Sequence, residues 1–455
     1  MEDKMSEIAA EIFKAYDIRG RVGTELTADI CQRIGAATAD WLPTQGIVAV
    51  GRDMRPDSHE LANALIEGLR TQGRDVWDIG EVTSDMIYFA IGKYDLAGGL
   101  VVTASHNAGD YNGIKIYRDK VTPVGLDTGL AEIRDRAAAG ATTPAENKGS
   151  LAEKNINEAW VDHALSQIDS TKWPHYRIAI DAGNGMAGAI LPDVLSRLPI
   201  EAEEMYFELD GTFPNHEANP QNIENLEDLI KKVQENNYDF GIVFDGDGDR
   251  AGFVDDKGRP VLGTDLISIV AKYVLEKHSG SSIVHEVRTS RATAELIREW
   301  GGTPVRTKAG RVYIGAELRK IGAKFGGETT GHLFFAENYD ADSGLIAALM
   351  VIQALAESGK KLSDLVDEYR RYIMPREINF TITDKEYVFK RLKEVFAGEK
   401  QDELDGLTVN LKDSWFNIRA SNTEPVVRLN LEATTEAGIQ ELLDKIKAVV
   451  AEKAN

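Results

Sequence analysis

Apolar and polar positions are grouped along the 455 residues so that strand and helix alternate for most of the length. IVAVGRD (47–53) is a continuous apolar run ending in charge, the mark of a strand buried on both faces. From Ser58 onward, Leu61, Ala62, Leu65, Ile66 and Leu69 share one face at helical spacing and predict a helix. DVWDIGEV, MIYFAIGKY and GLVVTAS continue as strand, helix and strand. A second round starts at RIAIDAGNGMAG (177–188) and passes through the strand-like MYFEL. It continues with a helix carrying Leu226, Leu229, Ile230 and Val233 and closes on FGIVF (240–244). A third holds SIVHEV, a helix at 291–299, TPVRTK, a helix at 311–320 and AKFGGE. Then the pattern changes. REINFTITD, GLTVNLKDSWFNIRAS and PVVRLNLEA read as strands interrupted by one helix, with a last helix at 434–453. Breaks in composition divide the chain into expected α/β domains at 1–150, 151–256 and 257–374, and a smaller α+β domain at 375–455.

Charge narrows the partners. The formal net charge is −22 at pH 7, which repels nucleic acid and anionic membrane surfaces, so neither is expected as a partner. A small anionic substrate fits only where arginines and lysines reverse the field locally. Cys31 is the only cysteine, which excludes intrachain disulfides and fits a reducing compartment. MEDKMSEIAAEIFK has no apolar core of signal-peptide length, and no apolar run approaches a membrane span. A cytoplasmic location is expected.

Five short stretches carry chemistry. FDGDGDR (244–250) alternates Asp245, Asp247 and Asp249 with glycine at the carboxyl end of a strand, where α/β sheets bind ligands. Adjacent carboxylates repel unless a cation neutralises them, and an all-oxygen set suits Mg²⁺ better than zinc. An EF-hand does not fit, because Arg250 stands at its glycine position and Asp256 at its bidentate glutamate. VVTASHNAGDYNGIKIY (101–117) empties a strand into Ser105, His106 and Asn107 and returns with Lys115. That is a hydroxyl nucleophile with groups able to orient it, bind phosphate or move protons. GGETTGH (326–332) offers Glu328, Thr329, Thr330 and His332, a set suited to sugar hydroxyls. RASNTEPVVR (419–428) gathers Arg419, Ser421, Asn422, Thr423 and Arg428 around a turn, the makings of a phosphate cradle. GNGMAG (183–188) is a G-x-G-x-x-G after a strand, with Asp210 ending the next strand-like run. It supports a competing reading as an NAD-dependent dehydrogenase.

In order, FKAYDIRG (13–20), TASHN, NGIK, FDGDGDR, GGETTGH and RASNTEP resemble the α-D-phosphohexomutases over essentially the whole chain. Within that family they resemble the bacterial phosphomannomutase/phosphoglucomutase branch. The resemblance implies an α/β fold of three related mixed α/β domains plus a smaller C-terminal α+β domain around a central active-site cleft. It implies an isomerase that interconverts hexose 1-phosphate and hexose 6-phosphate, of mannose or glucose, as a monomer or homodimer. Ser105 would be carried as phosphoserine. Asp245, Asp247 and Asp249 would hold one Mg²⁺ per chain together with an oxygen of that phosphate, and hexose 1,6-bisphosphate would serve as intermediate and activator. Lys115 and Arg19 would serve proton transfer and charge stabilisation around the nucleophile, with His106 beside it. Arg250, Arg288, Lys308 and Arg311 would contact substrate. Glu328 and Thr330 would read the sugar hydroxyls with the catalytic candidate His332 nearby, and Arg419, Ser421, Asn422, Thr423 and Arg428 would hold the non-reacting phosphate.

The chain departs from the family pattern at named places. Ala108 stands where proline is usual, which removes a φ restraint but no chemical group. Arg311 stands where many relatives have a histidine, and a guanidinium cannot exchange protons near neutral pH. Arg288 replaces a common lysine, and Thr329-Thr330 replaces the Met-Ser or Gln-Ser of GEMSG and GEQSG. Glu328 with a hydroxyl at Thr330 keeps the donor–acceptor set of the mannose/glucose branch. Phosphoglucosamine mutase and a non-catalytic sugar-phosphate binder are the competing readings within the family.

Overall fold

The apolar run of the first predicted strand forms Val48–Arg52 in the computed structural model, which describes residues 8–140, 143–382, 384–420 and 426–452. Its first four residues are fully buried because parallel neighbours lie on both sides, Gly98–Val102 and Val76–Glu81. Tyr111–Arg118 runs antiparallel to Gly98–Val102, and Ile18–Arg21 pairs antiparallel with it in turn. Helices Ala28–Trp41 and Ser58–Thr71 pack their apolar faces into the same core, among them Ile34, Leu61, Leu65 and Leu69. The hairpin register sets Lys115 directly opposite Val101, so the residues between Val102 and Tyr111 form a loop at the strand ends.

The chain divides into two compact units. One comprises residues up to Val261 together with Thr330–Ser363, and the other Leu262–Thr329 with residues from Asp364 onward. The first unit holds the sheet just described and a second one, ordered Pro260–Val261, Ala251–Asp255, Phe240–Phe244, Tyr176–Asp181 and Ile200–Met205. Helix Gly344–Ser358, apolar on nearly every side and almost wholly buried, belongs to it as well. The second unit has a parallel set, Thr303–Thr307, Ser282–Glu286 and Phe325–Gly327. It also has an antiparallel sheet, Ile378–Thr381, Val426–Ala433, Ser414–Ala420, Leu407–Asn410 and Lys400–Asp402. Val388, Leu392, Leu442 and Ile446, from helices Lys385–Val395 and Glu436–Ala451, fill the core of that last sheet. The fold is therefore mixed α/β with a separate C-terminal antiparallel domain.

One predicted element is displaced. MYFEL is not a strand; the strand is Ile200–Met205, and Tyr206 turns the chain with φ +55°. The strand lies at the sheet edge, so Glu201, Glu203 and Glu204 stay at least partly exposed and no apolar run marks it. Asp210 accordingly sits in a loop, where its carboxylate accepts from the amide and hydroxyl of Thr212. Among the described residues, no helix is long and apolar enough to cross a membrane.

Candidate active site

Strand Phe240–Phe244 delivers Asp245, Asp247 and Asp249 at its carboxyl end, and all three are fully buried. They offer ligand atoms within 4.8 Å of one another. Lys115 Nζ reaches Asp247 Oδ2 at 2.5 Å and Asp249 Oδ2 at 2.6 Å, and Arg250 Nε lies 2.9 Å from Asp245 Oδ2. Ser84, at the start of helix Ser84–Tyr94, donates its hydroxyl to Asp247 Oδ2 and its amide to the Asp247 carbonyl. Burial, with the charges of Asp249 and Asp247, pushes the Asp245 carboxyl up to about 7, against the pull of Arg250. Burial and the Asp249 charge also oppose ionisation of Asp247, yet Lys115 and Ser84 outweigh them and hold it below the usual range.

Three carboxylates thus face two cations, Lys115 and Arg250. Asp247 Oδ1 is buried with no hydrogen-bond partner among the described residues. An all-oxygen set with a waiting carboxylate oxygen fits a small hard divalent ion such as Mg²⁺.

The nucleophile candidate is beside this cluster. Ser105 Oγ lies 3.2 Å from Asp245 Oδ2 and 3.1 Å from His106 Nδ1. Its backbone has φ +52°, the left-handed region that non-glycine residues rarely adopt. Thr103 Oγ1 accepts from the Ser105 amide at 2.9 Å. Arg250 NH2 donates to His106 Nδ1 at 2.6 Å, which assigns the lone pair to Nδ1, since a guanidinium has no acceptor. Burial, then Arg250 and Arg19, pushes His106 down to about 2, so the imidazole is neutral at neutral pH. Arg19 binds the nucleophile loop, donating to the Ala104 carbonyl at 3.1 Å and to the Asn107 side chain, and pairs with Asp17.

His332 Nε2 lies 3.5 Å from Asp249 Oδ1, and His332 Nδ1 is 3.0 Å from Thr330 Oγ1. These residues belong to the same unit as Ser105 and the aspartates.

Two glycines explain the spacing of the motifs. A Cβ on Gly246 would lie 2.5 Å from the Ser105 carbonyl oxygen, so glycine there lets the aspartate loop reach the nucleophile loop. Gly246→Ala is expected to push the two apart and lower turnover by roughly 10²-fold, with a folded circular dichroism spectrum. GNGMAG supports the same loop from behind. Met186 donates its amide to the Gly246 carbonyl at 2.9 Å, and a Cβ on Gly188 would meet Phe207 O at 2.2 Å. The motif is a packing turn.

In the second unit, Arg288 Nε bonds Glu286 Oε2 at 2.8 Å and its NH2 bonds Glu328 Oε1 at 3.1 Å. Burial opposes the Arg288 charge, but Glu286 and Glu328 outweigh it and raise its pKa. Thr329 donates both amide and hydroxyl to Glu286 Oε1, which fixes the start of the loop. Arg419 and Arg428 share Glu377, at 3.4 Å and 3.5 Å. Burial and the Arg288 charge lower the Arg419 pKa, against the pull of Glu377. Lys308 is exposed with its Nζ over the Tyr313 ring, and Arg311 opens helix Arg311–Ile321. Ser421, Asn422 and Thr423 lie outside the described residues.

Arg55, Asp53, Thr103 and Ser84 were not singled out by motif reading. The signal for the first two is GRDMR at the carboxyl end of a parallel strand, where α/β sheets place functional side chains.

Family models agree in order along the chain. Phosphoglucomutase/phosphomannomutase α/β/α domains I, II and III match residues 10–143, 158–258 and 263–372, and the C-terminal domain matches 377–449. A phosphohexose mutase of Xanthomonas campestris pv. campestris is 39% identical, covering 94% of this chain and 96% of that protein. A phosphomannomutase of Salmonella montevideo is 38% identical over 95% of this chain and 97% of its own length. The crystal structure of a phosphoglucomutase/phosphomannomutase family protein from Burkholderia thailandensis superposes with TM-score 0.90 at 32% identity, covering 97% of both chains. Motifs, fold and near full-length similarity agree, and the chain belongs to the phosphoglucomutase/phosphomannomutase family.

Proposed function

We propose that this chain is a Mg²⁺-dependent phosphohexomutase that interconverts the 1- and 6-phosphates of mannose and glucose through phosphorylated Ser105. The observation that carries the reading is the Ser105 hydroxyl, 3.2 Å from Asp245 Oδ2 at the edge of a buried triple-carboxylate cluster. The relatives' names, phosphohexose mutase and phosphomannomutase, point to the same reaction class.

A hydroxyl of the bound hexose phosphate attacks the phosphorus of phospho-Ser105, the P–Oγ bond breaks, and Oγ takes up a proton as the sugar hydroxyl loses one. The resulting 1,6-bisphosphate turns around. Its other phosphoryl group passes back to Oγ, and the Oγ proton returns to the freed sugar oxygen. Asp245, Asp247 and Asp249 would hold the metal, which when bound supplies positive charge to the transferring phosphoryl oxygens. Lys115 and Arg250 add fixed cations beside it, where positioned charge lowers the barrier most. Neutral His106 keeps Nδ1 as an acceptor near Oγ, and Arg19 holds the loop. His332 orients Asp249 and faces the Thr330 hydroxyl. In the second unit, Arg419 and Arg428 with Ser421, Asn422 and Thr423 serve the phosphate that is not transferred, joined by Lys308 and Arg311. Arg288 fixes the Glu328 carboxylate as an acceptor for sugar hydroxyls.

The test is a parallel assay of mannose, glucose and glucosamine 1-phosphates with Mg²⁺ and a trace of glucose 1,6-bisphosphate. Conversion of the first two to 6-phosphates, with glucosamine 1-phosphate slower, is expected. Fastest turnover of glucosamine 1-phosphate would move the assignment to that branch. Bisphosphate binding without any isomerisation would make the chain a sugar-phosphate binder.

A further inference from the structure

The Arg55 guanidinium lies beside the nucleophile, and its contacts are almost all to backbone. NH2 donates to the carbonyls of Ser105 at 2.9 Å and Asn107 at 2.6 Å, and NH1 to those of Ala108 and Tyr111 at 2.8 Å each. Nε completes the set on Asp53 Oδ2 at 3.2 Å. A guanidinium has five N–H donors in a planar fork, and each of them has an acceptor here. Asp53 is itself held, accepting from the Arg55 amide at 3.0 Å and from Ser58 Oγ at 2.5 Å. Asn112 Nδ2 donates to that Ser58 hydroxyl at 2.9 Å, tying the clamp to the strand that carries Lys115. The Phe213 ring covers the guanidinium 5.1 Å from its centroid, and the Arg55 residue is 3% exposed.

The clamped segment is under backbone strain. Ser105 holds a left-handed backbone with φ +52°, and such a conformation persists only where its surroundings over-determine it. Thr103 fixes the amide side of that residue and Arg55 the carbonyl side. The Ser105 carbonyl is also the atom against which Gly246 is packed, so its position sets the distance from Oγ to the aspartates. Ala108, which has no ring to stiffen the loop, has its carbonyl fixed by the same guanidinium.

We propose that Arg55, anchored by Asp53, is a positioning residue that holds the Ser105 loop in its strained form and aims Oγ at the phosphoryl group. This rests on the phosphohexomutase reading above. All five N–H groups are committed to the protein, so Arg55 acts through the loop rather than by binding substrate. A lysine offers three donors from a single atom and cannot span the same four carbonyls.

The test compares wild type with Arg55→Lys and Arg55→Met in the full chain, at a temperature where circular dichroism shows each folded. The readouts are kcat and KM for glucose 1-phosphate, the rate of Ser105 phosphorylation by glucose 1,6-bisphosphate, and the Mg²⁺-induced shift in Tm. Both variants are expected to lose roughly 10²-fold in kcat and in the phosphorylation rate. KM is expected within about two-fold of wild type, and the Mg²⁺ shift is expected to be kept, because neither substrate nor metal loses a direct contact. Unchanged kcat in Arg55→Lys would overturn the inference, as would a rise in KM with kcat intact. A fall in Tm with kcat unchanged would reduce Arg55 to a structural role and overturn it too. Absence of mutase activity in wild type would instead overturn the functional reading itself, so the two failures are distinct.

Discussion

Ser105→Ala is expected to abolish interconversion of hexose 1- and 6-phosphates, with a loss on the order of 10⁴-fold or more in kcat. The hydroxyl is placed beside the carboxylate cluster with its backbone pinned on both sides. Removing Oγ deletes the atom to which the phosphoryl group would be bonded, and neutral His106 is held by Arg250 and cannot take its place without breaking that bond. Because alanine lacks only one atom, the loop contacts made by Arg55 and Thr103 through the Ser105 backbone remain. The variant is therefore expected to fold and to keep its affinity for hexose phosphate, measured by calorimetry. Turnover near the wild-type rate would mean that another group carries the phosphoryl.

Asp247→Asn is the second large effect. Its carboxylate receives Lys115 and Ser84 through Oδ2 and leaves Oδ1, buried, without a hydrogen-bond partner among the described residues. Asparagine cancels the charge that opposes Lys115 and offers at most one weaker oxygen to a metal. The expected loss in Mg²⁺-supported turnover is roughly 10²–10³-fold. A readout independent of activity exists. Mg²⁺ at 100 times its Kd should stabilise wild type by about 2.7 kcal/mol, raising Tm, and the shift should vanish in the variant. A full Mg²⁺-induced shift in Asp247→Asn would remove Asp247 from the metal site.

The contiguous motifs were legible because their chemistry is local. Asp245, Asp247 and Asp249 converge through alternation with glycine, and Ser105 with Lys115 are joined by one hairpin whose register faces Lys115 to Val101. The structure gathers these with Arg250, His106 and Arg19 in one unit. Groups that act on them from a distance in sequence were not legible. Arg55 works on carbonyls about fifty residues away, and Ser84 reaches Asp247 across more than one hundred and sixty, contacts that leave no spacing rule. Carbonyl acceptors also exist at every residue, so nothing at positions 105–111 advertises the clamp.

Strands buried on both faces were read well and the one at an exposed edge poorly. Val48–Arg52 and Phe240–Phe244 announce themselves as apolar runs, whereas Ile200–Met205, with three glutamates at a sheet edge, is masked by the apolar residues that follow it. That displacement also made Asp210 resemble the acidic residue of a dinucleotide site. With the true strand ending at Met205 and Gly188 packed against Phe207 O, the glycines of GNGMAG serve the aspartate loop.

One measurement tests the central claim most directly. The purified chain is incubated with Mg²⁺ and glucose 1,6-bisphosphate carrying ¹⁸O-labelled phosphoryl groups, then mapped by mass spectrometry of its peptides before and after a chase with excess unlabelled mannose 1-phosphate. One ¹⁸O-labelled phosphoryl group is expected on the peptide containing Ser105, exchanged on the chase for an unlabelled one at a rate at least equal to turnover, with the label recovered in mannose 6-phosphate. Turnover with no phosphate on Ser105, or a labelled phosphoryl group that stays on Ser105 while isomerisation proceeds, would contradict it.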